Sequence, residues 1–125
     1  MSWQIDDSRP VYIQLIDEIK MRIISGYYKL GDRLPSVRDL AEEAQVNPNT
    51  MQKALTELES CGMLNSQRTS GRFITDNKIL IEEMRQMFAL QYIKVFFESM
   101  EKLGYSQEEI KQKIICIHSN LTIYL

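Results

Sequence analysis

One dipeptide restricts this chain more than any other stretch: Asn47-Pro48. Asn is among the best helix caps, and Pro fits the position after it, where its missing N–H has no intrahelical partner. The spacing predicts a helix from about Pro48 to Cys61, stopped at Gly62. Just upstream, Ser36 with Asp39 approximates a capping box and opens a shorter helix that ends near Ala44. Val37, Leu40, Ala41 and Ala44 give that helix one narrow apolar face. Two short helices joined by a tight turn leave few architectures open.

The two faces of the later helix differ in kind. At about 100° per residue, Met51, Ala54, Leu55 and Leu58 gather on one side. Asn49, Gln52, Lys53 and Thr56 gather on the other, and no acid falls between Val46 and Thr56. Such a pair, the second member presenting amides, a hydroxyl and a cation, describes a helix-turn-helix. After Gly62 the period changes. Met63–Gln67 and Arg72–Thr75 read as strands around a turn at Arg68-Thr69-Ser70-Gly71. A hairpin in this place is a wing, with Arg68 and Arg72 beside its tip and no acid from Ser60 to Thr75.

The flanks complete the outline. A first helix is expected over 10–25, with Pro10 in its first position and Tyr12, Leu15, Ile16, Ile19 and Ile23 on one apolar face, closed by Ser25-Gly26. Residues 27–35 form a turn-rich connector with room for a very short strand. A long helix is expected from about Asn77 to Leu103, roughly 40 Å at 1.5 Å per residue. Ser106 with Glu109 then caps a last helix carrying Ile110, Ile114, Ile117 and Leu121 on one face. The expected fold is α+β, mostly α: a winged helix-turn-helix domain over 1–76 and a two-helix dimerisation hairpin over 77–125.

That hairpin cannot hide its own apolar stripe. Leu80, Met84, Met87, Phe88, Tyr92, Val95 and Phe96 keep a helical period, and a second copy of the chain covers such a stripe most simply. Homodimerisation is therefore expected.

Catalytic chemistry finds little material. The single histidine, His118, and the cysteines Cys61 and Cys116 make no metal shell, no glycine-rich phosphate loop is present, and no Ser/His/Asp set is visible. The expectation is a protein without enzymatic activity, cofactor or metal, its Cys116 a core thiol and its His118 a surface imidazole. Apolar runs of a few residues fall far short of the roughly 20 that span a bilayer. The N-terminus MSWQIDDSRP resembles no export signal, so a cytoplasmic protein with free thiols and no membrane partner is expected.

Net charge is −2 and the isoelectric point about 5.4, which runs against a nucleic-acid partner if taken whole. The distribution resolves the conflict. Residues 46–56 and 60–75 hold Lys53, Arg68 and Arg72 and no acid, whereas Glu57 and Glu59 sit at the far end of their helix. Counterion release depends on the charges that meet phosphate, not on the chain total.

Three segments carry a resemblance. Pro10-Val-Tyr-Ile-Gln, Gly31-Asp-Arg-Leu-Pro-Ser-Val-Arg-Asp-Leu-Ala and Val46-Asn-Pro-Asn-Thr-Met-Gln-Lys-Ala resemble the bacterial GntR-family regulators. The Asn-Pro-Asn-Thr sequence and the short tail are similar to the YtrA-like subfamily. The resemblance implies a winged-helix transcriptional regulator that binds operator DNA as a homodimer, usually a repressor and often of an adjacent ABC-transporter operon. It places Arg38 at DNA, Asn47, Asn49, Thr50, Gln52 and Lys53 in the recognition segment, and Arg68, Ser70, Gly71 and Arg72 in the wing; Ser36 adds backbone N–H groups at a helix start. Two positions depart from the pattern: Gln45 stands where the family commonly has Gly, and Thr69-Ser70-Gly71 replaces a Gly-x-Gly wing.

Each assignment has an ordinary competitor. Asn47 serves as a cap with or without DNA. Arg38 has Glu42 in i+4 reach for a surface pair, and Arg68 and Arg72 resemble solvated hairpin charges. Asn49 and Gln52 suit an adenine edge, while Thr50 and Lys53 suit phosphate. The competing function is a winged-helix protein-interaction module that binds no nucleic acid, which the acidic isoelectric point would suit. An effector, if the chain has one, is an unknown small molecule, and the tail is too small to enclose a sizeable cavity for it within one chain.

Overall fold

The computed structural model describes residues 2–124, with side chains through residue 120. It is mostly helical with one small sheet: α1 (Val11–Ile24), α2 (Val37–Ala44), α3 (Pro48–Ser60), β1 (Leu64–Gln67), β2 (Gly71–Ile74), α4 (Lys78–Lys102) and α5 (Gln107–Tyr124). Two compact units divide at Met84/Arg85.

In the first unit the predicted apolar faces meet. Leu15 and Ile19 of α1, Leu40 of α2, and Met51, Ala54, Leu55 and Leu58 of α3 are all fully buried. Each large side chain taken from water in this way contributes about 1.5–3 kcal/mol. The caps form as the sequence requires. Asp39 donates its backbone N–H to Ser36 Oγ at 3.1 Å, and Asn49 donates to Asn47 Oδ1 at 2.8 Å. The turn between α2 and α3 passes through Gln45 at φ 56° and ψ 50°, a left-handed conformation that costs a non-glycine residue on the order of 1 kcal/mol.

Pro10 is a correction. It caps α1 in extended conformation (φ −51°, ψ 137°) instead of entering the helix, and its carbonyl accepts from the N–H groups of Ile13 and Gln14. The reason lies in the arm before it. Gln14 is buried and clamps residues 6–9: its amide donates to the carbonyls of Asp6 and Arg9 at 2.8 and 2.7 Å, and its oxygen accepts from the Asp6 N–H at 3.0 Å. Arg22 is buried among aromatic rings, its guanidinium carbon 4.0 Å from the Trp3 ring centre and 5.2 Å from that of Tyr27. Burial opposes that charge, but hydrogen bonds to the Tyr28 hydroxyl and to Glu18 hold it. None of these arm contacts is written in a helical period.

β1 and β2 pair antiparallel with Leu64 opposite Ile74 and Gln67 opposite Gly71. The short strand allowed for in the connector is present as a bridge between Arg33 and Phe73. The Leu34 N–H donates to Arg72 O at 2.9 Å and the Ile74 N–H to Asp32 O at 2.8 Å, so residues 31–34 lie along β2 without extending the two-stranded sheet.

The second unit is built from the later part of α4 and from α5. Ser106 and Glu109 exchange the expected capping-box bonds, both at 3.1 Å. Accepting from Ser106 holds the Glu109 carboxyl below its ordinary pKa. Ile110 is fully buried, whereas Ile114, Ile115 and Ile117 are exposed. Cys116 is exposed as well, contrary to the expected core thiol, because α5 between Lys111 and Asn120 has no described side chain buried. Leu121 lies outside the described side chains.

Candidate nucleic-acid interface

The outward face of α3 is free. Asn49, Gln52, Lys53 and Thr56 are exposed and Thr50 half-buried, while Met51, Ala54, Leu55 and Leu58 face inward. Periodicity alone places this division, since a core on one side of a 3.6-residue helix leaves the opposite side to solvent. The Thr56 hydroxyl donates to the Gln52 carbonyl of its own helix at 2.9 Å, which commits its proton. Asn49 and Gln52 therefore present the two free side-chain amides of this face, each offering a donor and an acceptor side by side.

Lys53 is held in place. Its ammonium lies 3.8 Å from the centre of the Tyr12 ring, a cation–π contact that ties the start of α1 to the recognition face. Tyr12, expected on the apolar face of α1, thus also meets Lys53; no one-dimensional pattern pairs positions so far apart.

The arginines part company. Arg38, on the first turn of α2, is exposed and forms no pair with Glu42 or with any other described residue. Arg68 at the wing tip is exposed in the same way. Arg72 differs from expectation. It is half-buried, and its Nε–H donates to Glu59 Oε1, so the wing is pinned to the end of α3 and the charge is already matched. Sequence distance concealed this pair, because a hairpin folding back brings β2 beside the helix it follows.

Arg33 was not among the expected site residues. It is exposed, and its guanidinium lies against Gly71, where an added Cβ would stand 3.4 Å from Nε and Nη2. Gly71 has φ +92°, a backbone conformation that residues with side chains rarely adopt, so this position favours glycine. Arg33, Ser36, Gly71 and Arg72 help line a cleft of about 210 Å³ beside the wing.

The expected dimer stripe divides between the two units. Leu80 and Met84 are half-buried in the first unit, Leu80 Cδ2 lying 3.5 Å from where a Cβ on Gly62 would stand. Met87, Tyr92, Val95 and Phe96 are exposed and Phe88 is half-buried. Leu90 and Ile93, off the expected stripe, are exposed too. The α4 helix is thus apolar around much of its circumference, a pattern of helices that other helices surround. No group of acidic, His or Cys side chains among the described residues has the arrangement of a metal site, and no described helix is long and apolar enough to cross a membrane.

A helix-turn-helix with a polar second helix, a wing and a short helical tail is the arrangement on which the comparisons converge. Residues 11–74 match the family described as "Bacterial regulatory proteins, gntR family". The chain belongs to the GntR family. It is 35% identical over 114 residues to the HTH-type transcriptional repressor YtrA of Bacillus subtilis, covering 89% of this chain and 88% of that one. Its fold is similar to that of a GntR family transcriptional regulator from Listeria monocytogenes, with a TM-score of 0.80 and 38% identity over 88% of this chain and 96% of the other. The DNA-binding domain of AraR, solved in complex with its operator ORE1, matches 60% of this chain and 94% of its own length at a TM-score of 0.52 and 26% identity. GntR relatives are transcriptional regulators rather than enzymes, and the winged helix-turn-helix is the part shared across all three comparisons.

Proposed function

We propose that this GntR-family chain is a homodimeric, sequence-specific repressor in the cytoplasm that binds an inverted-repeat operator. One observation carries the reading: an exposed, acid-free face of α3 whose amides have no other employment, beside an Arg38 that declines its nearest acid. Asn49 and Gln52 read base edges in the major groove, where a paired amide matches adenine N6 and N7. Asn47, Thr50, Lys53, Arg38 and the start of α2 at Ser36 meet backbone phosphates, which fix register without reading sequence. Arg68, Ser70 and Gly71 bring the wing to the neighbouring groove. The exposed apolar residues of α4 from Met87 onward join two copies, so half-sites lie about one helical turn or a multiple apart. The target is a neighbouring operon of the ABC-transporter type, as the likeness to YtrA-type repressors supports.

The test uses a duplex that the wild-type protein selects from fragments of its source genome. The double variant Arg38→Ala, Gln52→Ala should lose the gel shift while circular dichroism and sedimentation stay unchanged. Undiminished affinity in that variant overturns the reading and favours a protein-interaction module. The salt series separates the two independently: operator binding weakens log-linearly with salt, by about 0.9 decade per decade for each phosphate neutralised.

A further inference from the structure

We infer that Arg33, beside the wing, holds a DNA backbone phosphate in the cleft it forms with Gly71 and Ser36, and that Arg72 is left to pin the wing. The inference rests on the DNA-binding reading above and adds to it a contact that no helix face or wing tip contains.

The argument begins with strand alternation. Neighbouring residues of a strand send their side chains to opposite faces of a sheet, and bridged partners share a face. Arg72 is directed to α3, where Glu59 takes its charge. Gly71 and Phe73 therefore share the other face, and Arg33, bridged to Phe73, lies on that face with them. Gly71 has no side chain there, and the guanidinium of Arg33 lies 3.4–3.8 Å from where a Cβ on it would stand. A Cβ at position 71 would stand in van der Waals contact with Nε and Nη2, 3.4 Å from each. The two arginines beside the wing are thus sorted by face, one neutralised and one available.

The position of Arg33 is fixed as well. Backbone bonds from Gly31 to Ile74, from Leu34 to Arg72 and from Ile74 to Asp32 lace its segment to β2 on both sides. Its side chain engages no acid or other acceptor among the described residues. A fixed stem with an unmatched guanidinium is what bidentate phosphate binding uses, because little freedom is lost when the anion arrives. The cleft beside it, about 210 Å³, has space for a phosphodiester group and several waters at ~30 Å³ each. Asp32 is exposed on the same segment, yet its carbonyl and N–H are committed to the strand and turn and its carboxylate forms no pair with Arg33.

The experiment measures binding of the full-length protein to two probes: the tightest duplex recovered from a random library by the wild type, and a scrambled duplex of equal length. Arg33→Gln is expected to weaken both by the same factor, roughly tenfold or more. It should also lower the salt slope by about 1.8 for a dimer, at 0.9 per phosphate. Arg33→Lys, which keeps the charge without the fork, should restore the slope and only part of the affinity. Gln52→Ala, by contrast, should weaken the selected duplex more than the scrambled one. Wild-type affinity and slope in Arg33→Gln, in a protein whose Arg38→Ala variant loses binding, overturns the inference and leaves the DNA-binding reading standing. A wild type that recovers no duplex at low salt overturns both. Sodium phosphate should compete with duplex beyond chloride at equal ionic strength, an effect lost in Arg33→Gln; phosphate that binds at Arg33 without displacing duplex would assign the cleft to free phosphate and overturn the backbone contact.

Discussion

In the first compact unit, residues from every helix through α3 close over a shared interior, and Leu15, Ile19, Leu40, Leu55 and Leu58 are sealed from solvent. In the second, Ile110 is sealed while Met87 is 68% exposed, Leu90 66% and Tyr92 57%. Both regions are rich in apolar residues, so composition does not separate them. What separates them is the number of elements that cross. Three helices and a hairpin surround an interior; a long helix followed by one more leaves most of its circumference uncovered. Exposed apolar residues in this number are what the proposed second copy would cover. The first region carries its stability within one chain, and the proposed dimer would supply the second with the cover it lacks.

The sharpest way to break this contrast is to charge the uncovered face. Val95→Asp places a carboxylate on the proposed dimer surface, and we expect sedimentation to shift from dimer to monomer. Affinity for the inverted repeat should then fall by about 10²–10⁴, the range that linking two binding modules confers. A Val95→Asp dimer of normal affinity would show that α4 does not join the copies through this face.

A smaller effect is expected in the closed interior. Leu55→Ala removes buried volume from α3 and should cost about 2–5 kcal/mol in urea unfolding, with the oligomeric state unchanged in the folded protein. If instead Leu55→Ala altered dimerisation as much as stability, the two regions would not be energetically separate.

The smallest effect sharpens the second region alone. The Glu109 pKa is held down by accepting from Ser106, with Lys113 adding to the effect, so this capping box favours the folded helix at neutral pH and loses that contribution as pH falls through the depressed pKa. Glu109→Gln should flatten the acid limb of the helical circular-dichroism signal slightly and leave the neutral value nearly the same. An unaltered acid limb would mean that the cap contributes nothing measurable.

The local parts of the molecule were legible because local rules write them. Asn47-Pro48, Ser36 with Asp39, and Ser106 with Glu109 place helix starts by hydrogen bonds that reach only a few residues. The outward amides of α3 followed from a period of 3.6. The Arg72–Glu59 pair, Lys53 over Tyr12 and Arg33 against Gly71 were not legible, because each joins elements that only packing brings together. Pro10 misled for a related reason: its own preference allowed two positions, and the clamp of Gln14 on residues 6–9 selected one.

By itself, then, the sequence determined which segments are helical, which face of each is apolar, and that a helix with a polar outer face precedes a hairpin. Tertiary structure decided which cations remain available to an anion and which are already matched. The physical reason is that periodicity and capping act over one or two helical turns, whereas a charge is matched or left free by whatever the folded chain sets beside it.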